Sequence, residues 1–167
     1  LRNEANANVS NDFGATPLSQ AARVANTEMI AMLLDAGADP NQANSDGQTP
    51  LMLAAWTGVV EVAELLINHG ADVNAEERWT GQSALMWAAS RNHADMAELL
   101  IASGADVSVR ARSFDWERQI TSEPRNQYRP AGGLTPLLYA ARSGCLRCVQ
   151  AIVEAGADVD MPTPEGV

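Results

Sequence analysis

Glycine recurs along this chain with a period that constrains the fold more than any other feature. Gly37, Gly70, Gly104 and Gly156 each open nearly the same string: GADPN, GADVN, GADVS and GADVD. A second series, Gly14, Gly47, Gly81, Gly133 and Gly166, is spaced by 33, 34, 52 and 33 residues. A unit of this length cannot bury its apolar face alone, so stacked neighbours must share one elongated core. The interval of 52 exceeds the period of 33 by 19, which marks a net insertion of 19 residues into one inter-unit turn.

Each unit has the same internal logic. A first helix starts at Thr16-Pro17-Leu18, Thr49-Pro50-Leu51 and Thr135-Pro136-Leu137. The threonine hydroxyl can accept from an orphan N–H of the first turn, and proline at the first helical position loses no hydrogen bond. The third unit has Ser83-Ala84-Leu85, where serine is expected to cap in place of threonine. Paired alanines follow: Ala21-Ala22, Ala54-Ala55, Ala88-Ala89 and Ala140-Ala141. Such small residues let helices approach closely. A short turn, with Gly58 or Gly144 in two units, leads to a second helix. Its apolar residues fall at helical spacing: Met29, Leu33 and Leu34; Val62, Leu65 and Leu66; Met96, Leu99 and Leu100; Cys148, Ile152 and Val153. The glycine of each Gly-Ala-Asp string is expected to stop that helix in a left-handed conformation. The fold class is therefore all-α, a solenoid of helix-turn-helix units joined by short hairpin-like loops.

The segment DGQTPLMLAAWTGVVEVAELLINHGADVNA, residues 46–75, resembles an ankyrin repeat. The resemblance covers essentially the whole chain outside the insertion. It rests on the capping threonine, first-turn proline, paired alanines, paired leucines and terminal glycine in register. The position after Thr-Pro-Leu, often His in that family, holds Ser19, Met52, Met86 and Leu138. This puts the family's histidine-borne hydrogen bonds between adjacent loops in question.

Shifting back by one period from Leu34 and Gly37 lands on Leu1 and Glu4, so residues 1–10 read as the tail of a preceding repeat. Repeats are then expected at 11–43, 44–76, 77–108 and 132–160, with the insertion at 109–131 and the start of a further repeat at 161–167. The chain reads as a window of a longer array, with apolar surface expected at both outer ends. No signal peptide is visible. The cytoplasm is the default compartment, and export is left open because the array reads as continuing before Leu1.

The formal net charge of −10 argues against a nucleic-acid partner, since a phosphate backbone needs a basic face. No apolar run approaches the roughly 20 residues of a membrane helix. Two cysteines, Cys145 and Cys148, are too few for a disulfide framework. Free thiols are the favoured reading, with Cys148 in the core; a local disulfide and metal or redox chemistry are the alternatives. His93 reads as packing at the start of a second helix, and His69 as a structural residue before a C-cap glycine, where a histidine suits the helix dipole. No phosphate loop or nucleophile motif appears, and Glu28, Glu61, Asp95 and Glu98 read as a solvated face. No catalytic, metal or cofactor residue is assigned, and the chain is expected to be a monomeric, non-enzymatic module.

Ankyrin-type repeats mostly bind other proteins, through the hairpin tips and the concave face of the inner helices. Carried over by register, the resemblance offers Asp12, Phe13 and Arg23 in the first unit, and Ser45, Asp46, Gln48 and Trp56 in the second. The third offers Arg78, Trp79, Gln82 and Arg91, and the fourth Leu134 and Arg142. Phe13, Trp56 and Trp79 lie outside the core periodicity, and Trp and Arg are enriched at interface hot spots. Covering a neighbouring repeat is the competing role for these aromatics, and Trp87 is expected to pack.

The insertion adds Phe114, Trp116 and Tyr128, three of eight aromatics, and five of eleven arginines. Residues 109–131 carry +2 against −12 for the remainder. This loop could engage a partner, fold back as a lid, or act as a flexible spacer. The function expected is recognition of a protein partner by the tips, the concave face and this loop. The alternative is a regulatory or targeting array joined to an enzyme domain outside the chain.

Overall fold

The computed structural model describes residues 6–113 and 132–161. Among them are eight helices in four pairs. These are α1 (Pro17–Arg23) with α2 (Thr27–Asp35), α3 (Pro50–Thr57) with α4 (Val60–Asn68), α5 (Ala84–Ser90) with α6 (Ala94–Ala102), and α7 (Pro136–Ser143) with α8 (Leu146–Glu154). The described residues form no strand, only isolated antiparallel bridges between Glu76 and Ser83 and between Ser113 and Gly132. The first helices α1, α3, α5 and α7 pack side by side in chain order, and the second helices do the same. The expected all-α solenoid therefore has two helical layers.

The paired alanines make the first layer possible. Ala21, Ala22, Ala54, Ala55, Ala88, Ala89 and Ala140 are all buried. Small side chains let successive first helices pack closely, while Ala141 on α7 is exposed. Leu18, Leu51 and Leu85 fill the space beside them, each fully buried. Burying such a side chain stabilises the fold by about 2 kcal/mol.

Caps set the helix starts. The hydroxyls of Thr16, Thr49 and Thr135 accept from the backbone N–H of Ser19, Met52 and Leu138. Ser19 also returns the bond, accepting from the Thr16 N–H at 2.9 Å to complete a capping box. Ser83 departs from the expectation. Its hydroxyl makes no cap bond and is buried without a partner among the described residues. Serine caps as well as threonine by residue type, but the rotamer adopted here leaves the first-turn donors out of reach.

The second helices stop as expected. Gly37, Gly70, Gly104 and Gly156 all have positive φ. The Ala38 N–H reaches back to Leu33 and the Gly37 N–H to Leu34, closing the orphan carbonyls of α2. The turn between paired helices also needs a left-handed residue. Gly58 and Gly144 supply it in two pairs, while Ala25 (φ 52°) and Asn92 (φ 62°) adopt it in the others.

The core is narrower than the apolar pattern. Val62, Met96 and Cys148 are fully buried, but Met29 at the same register is 48% exposed. Val153 is also exposed, whereas Leu34 is buried. No described helix packs outside α2 or beyond α8, so no described helix covers these positions.

The cysteines correct the expectation of free thiols: Cys145 and Cys148 form a disulfide. Cys145 is the N-cap of α8 and Cys148 lies one turn on, with Cα atoms 5.2 Å apart, within the usual bridging range. Both are buried. The pair is thus enclosed in the core and presents no sulfur to solvent.

Candidate functional site

The hairpin tips are built on one repeated device. The Asn11 side-chain carbonyl accepts from the N–H groups of Phe13 (3.0 Å) and Ala15 (2.9 Å). Asn44 does the same for Asp46 (3.0 Å) and Gln48 (2.9 Å). The third tip is one residue longer, and Glu77 takes the asparagine's place. Its carboxylate accepts from the N–H groups of Trp79 (2.7 Å), Thr80 (2.6 Å) and Gln82 (3.1 Å), and from the Thr80 hydroxyl. The extra methylene and second oxygen let it span the longer turn. Burial pushes this carboxyl up, but the Thr80 hydroxyl and the backbone donors of Gln82, Trp79 and Thr80 outweigh it. The group lies below the ordinary glutamate value. In the fourth tip Ala111 stands at this register, and its N–H donates to the Leu134 carbonyl at 3.0 Å.

Successive tips are tied together. Ser45 N–H donates to Phe13 (3.0 Å), Arg78 N–H to Asp46 (2.8 Å) and Arg112 N–H to Thr80 (2.6 Å). The Arg112 guanidinium also donates to the Arg78 carbonyl. The edge is therefore continuous up to the insertion.

Three residues before each tip, in the same inter-unit connection, runs a second ladder. Asn8, Asn41 and Asn74 each donate to the carbonyl of the next unit's glycine, Gly37, Gly70 and Gly104, at 2.9 to 3.0 Å. Each also accepts from the next aspartate N–H, of Asp39, Asp72 and Asp106, at 2.7 to 2.8 Å. Side-chain bonds between successive Gly-Ala-Asp loops thus come from these asparagines, not from the position after Thr-Pro-Leu, where Met52 and Met86 are buried. The ladder ends at Ser108, which bonds locally to Asp106.

Aromatic residues mark the exposed side of the first-helix layer and its tips. Phe13 is 73% exposed, Trp79 59% and Trp56 47%. The Trp79 indole N–H donates to the Asp46 carboxylate of the preceding tip at 3.1 Å. Trp56 meets the Trp87 ring edge-on at 5.6 Å, and the Arg91 guanidinium lies 4.0 Å from its centroid. His93 bonds the Trp56 carbonyl at 3.1 Å, which confirms the packing role for that histidine. His69 bonds the carbonyl of Leu65 at the end of its helix. Trp87 is half-buried and packs against the core, as expected. Covering a neighbour and remaining accessible are therefore not exclusive for Trp56 and Trp79, which do both.

Asp12, Arg23, Ser45, Asp46, Arg78, Arg91 and Arg142 are also exposed. Gln48, Gln82 and Leu134 are half-buried. Two of these side chains are engaged: Gln48 accepts from Asn44 at 3.0 Å, and Gln82 donates to the Tyr139 hydroxyl at 2.9 Å. Burial raises the Tyr139 hydroxyl above its ordinary value, despite the bond from Gln82 and the nearby Arg142 charge. Phe114, Trp116 and Tyr128 lie outside the described residues. Sequence reasoning missed Glu77 and the asparagine ladder. The ladder had a signal, since Asn41 and Asn74 both stand four residues after the glycine of a Gly-Ala-Asp string.

No described helix is long and apolar enough to cross a membrane. A search of curated proteins finds no significant match. The family model described as ankyrin repeats (3 copies) matches residues 1–77 and 76–163. Paired helices, left-handed glycine stops and linked hairpin tips agree with that match throughout the described residues, as do capping threonines in three of the four pairs. The chain belongs to the ankyrin-repeat family, whose members are generally protein-interaction modules and typically non-catalytic.

Proposed function

We propose that this chain recognises a protein partner with the exposed side of its first-helix layer and the adjoining hairpin tips. The carrying observation is the Trp56–Arg91 stack, which stays accessible on the layer that the second helices leave uncovered. Trp79 and Phe13 extend it along the tips. Such an anchor binds tightly because a rigid ring loses little side-chain entropy on contact. The insertion of residues 109–131 leaves the same edge, since its residues Ala111 and Arg112 and the following Gly133 are bonded there. In this reading the loop extends the contact surface.

Affinity capture by the whole chain tests the proposal. Trp56→Ala, Trp79→Ala and deletion of residues 110–128 are each expected to lose partners while helical circular dichroism is kept. Capture unchanged by all three would overturn it.

A further inference from the structure

Charge in this molecule is sorted by layer. The second helices and the Gly-Ala-Asp loops hold twelve described carboxylates against a single arginine, Arg147. That arginine is already paired with Asp95 (2.7 Å) and Glu98 (2.9 Å). The other six described arginines, Arg23, Arg78, Arg91, Arg110, Arg112 and Arg142, all lie on the first helices or the tips. Four described carboxylates share that side. Of these, Glu77 is buried under backbone donors and Asp46 holds the Trp79 indole. A chain of net charge −10 therefore presents one basic side.

We infer that the partner segment recognised here is an acidic peptide carrying apolar side chains, held along the first-helix layer by Arg23, Arg91 and Arg142, with Arg91 set on the Trp56 ring. This rests on the recognition proposed above and adds the partner's chemistry. Range decides whether the outer carboxylates would repel such a segment. The helical layers are about 10 Å apart. The Debye length at physiological salt is about 8 Å. At contact the nearby arginines therefore outweigh the screened carboxylates behind them. Arg91 stacked on Trp56 keeps its in-plane N–H groups for a carboxylate while the ring takes the apolar side chain. Single-stranded nucleic acid is disfavoured because a long polyanion extends past this side into the field of the outer carboxylates.

The probe is a random peptide display library, selected against the immobilised whole chain and read by sequencing and by anisotropy of the enriched peptides. Enriched peptides are expected to be net acidic with an aromatic or aliphatic residue, and to weaken as salt rises. The double reversal Arg91→Glu with Arg142→Glu is expected to weaken them about tenfold or more. If that variant loses its helical signal, the single reversal Arg23→Glu serves instead and is expected to weaken binding in the same direction. Enriched peptides that are neutral or basic, and that Trp56→Ala abolishes, would overturn the acidic partner and leave the recognition surface standing. Absence of any enriched peptide would sink both. Homopolymeric single-stranded DNA binding as tightly as the acidic peptides would also overturn the inference. So would concentration-dependent dimers in sedimentation that the double reversal dissolves.

Discussion

The Asn41 side-chain amide donates to the carbonyl of Gly70 at 2.9 Å, one unit further along the array. The same side chain accepts from the Asp72 N–H at 2.7 Å, so one residue satisfies both groups of the facing loop. Asn41→Ala removes both bonds at a solvent-exposed site and is expected to cost about 1–2 kcal/mol. Ser108 holds the corresponding place one step before Gly156, where the ladder stops. Ser108→Asn would extend it to Gly156 and Asp158, with an expected gain of about 0.5–1.5 kcal/mol. Urea denaturation of each variant checks both signs, and a destabilised Ser108→Asn would show that the fourth unit is not stacked in the same register.

Glu77 predicts an acid-sensitive third tip. Its folded value lies below the ordinary 4.5, so its contribution is full above about that pH and is lost as pH falls through the folded value. Glu77→Gln is expected to cost about 2 kcal/mol near neutrality, since charged acceptors contribute roughly 1.5–3 kcal/mol when buried. The gap between the two proteins should narrow as pH falls through the acid range. Denaturation midpoints at neutral and acid pH measure this; a gap that stays constant would contradict the assignment.

Ala25 and Gly58 hold the same left-handed turn, at φ 52° and 77°. An L side chain there costs about 1–2 kcal/mol, partly offset by the greater unfolded-state entropy of glycine. Ala25→Gly is expected to stabilise by about 0.5–1 kcal/mol. Gly58→Ala should destabilise by more than that, because its Cβ would lie 2.6 Å from the His93 ring. Thermal unfolding of the pair tests the opposite signs.

The Cys145–Cys148 bridge predicts no thiol reactivity in the denatured, unreduced chain and two reactive thiols after reduction. A loop this short contributes about 2 kcal/mol in the chain-entropy account. Denaturation with and without reductant should show that difference. Thiols reactive before reduction would contradict the bridge.

Much of this was legible in the sequence, because helix starts and stops are local chemistry. Thr49-Pro50 and Gly70 mark their boundaries through a cap, a fixed φ and a missing Cβ, none of which needs a distant partner. The exposed aromatics were legible too, since Phe13, Trp56 and Trp79 fall off the helical period. Ser83 was not, because whether a hydroxyl reaches its donor depends on a rotamer rather than on residue type. Nor was Glu77, whose role appears only once the longer tip folds around it.

By itself the sequence determined the period, the paired helices and the ankyrin-repeat stacking, because a unit of 33 residues has no core of its own. Tertiary structure alone decided what meets across units: Arg91 on Trp56, Asn41 on Gly70 and the arginines gathered on one layer of an acidic chain. Those relations depend on side chains brought together by stacking, and their sequence spacing carries no record of them.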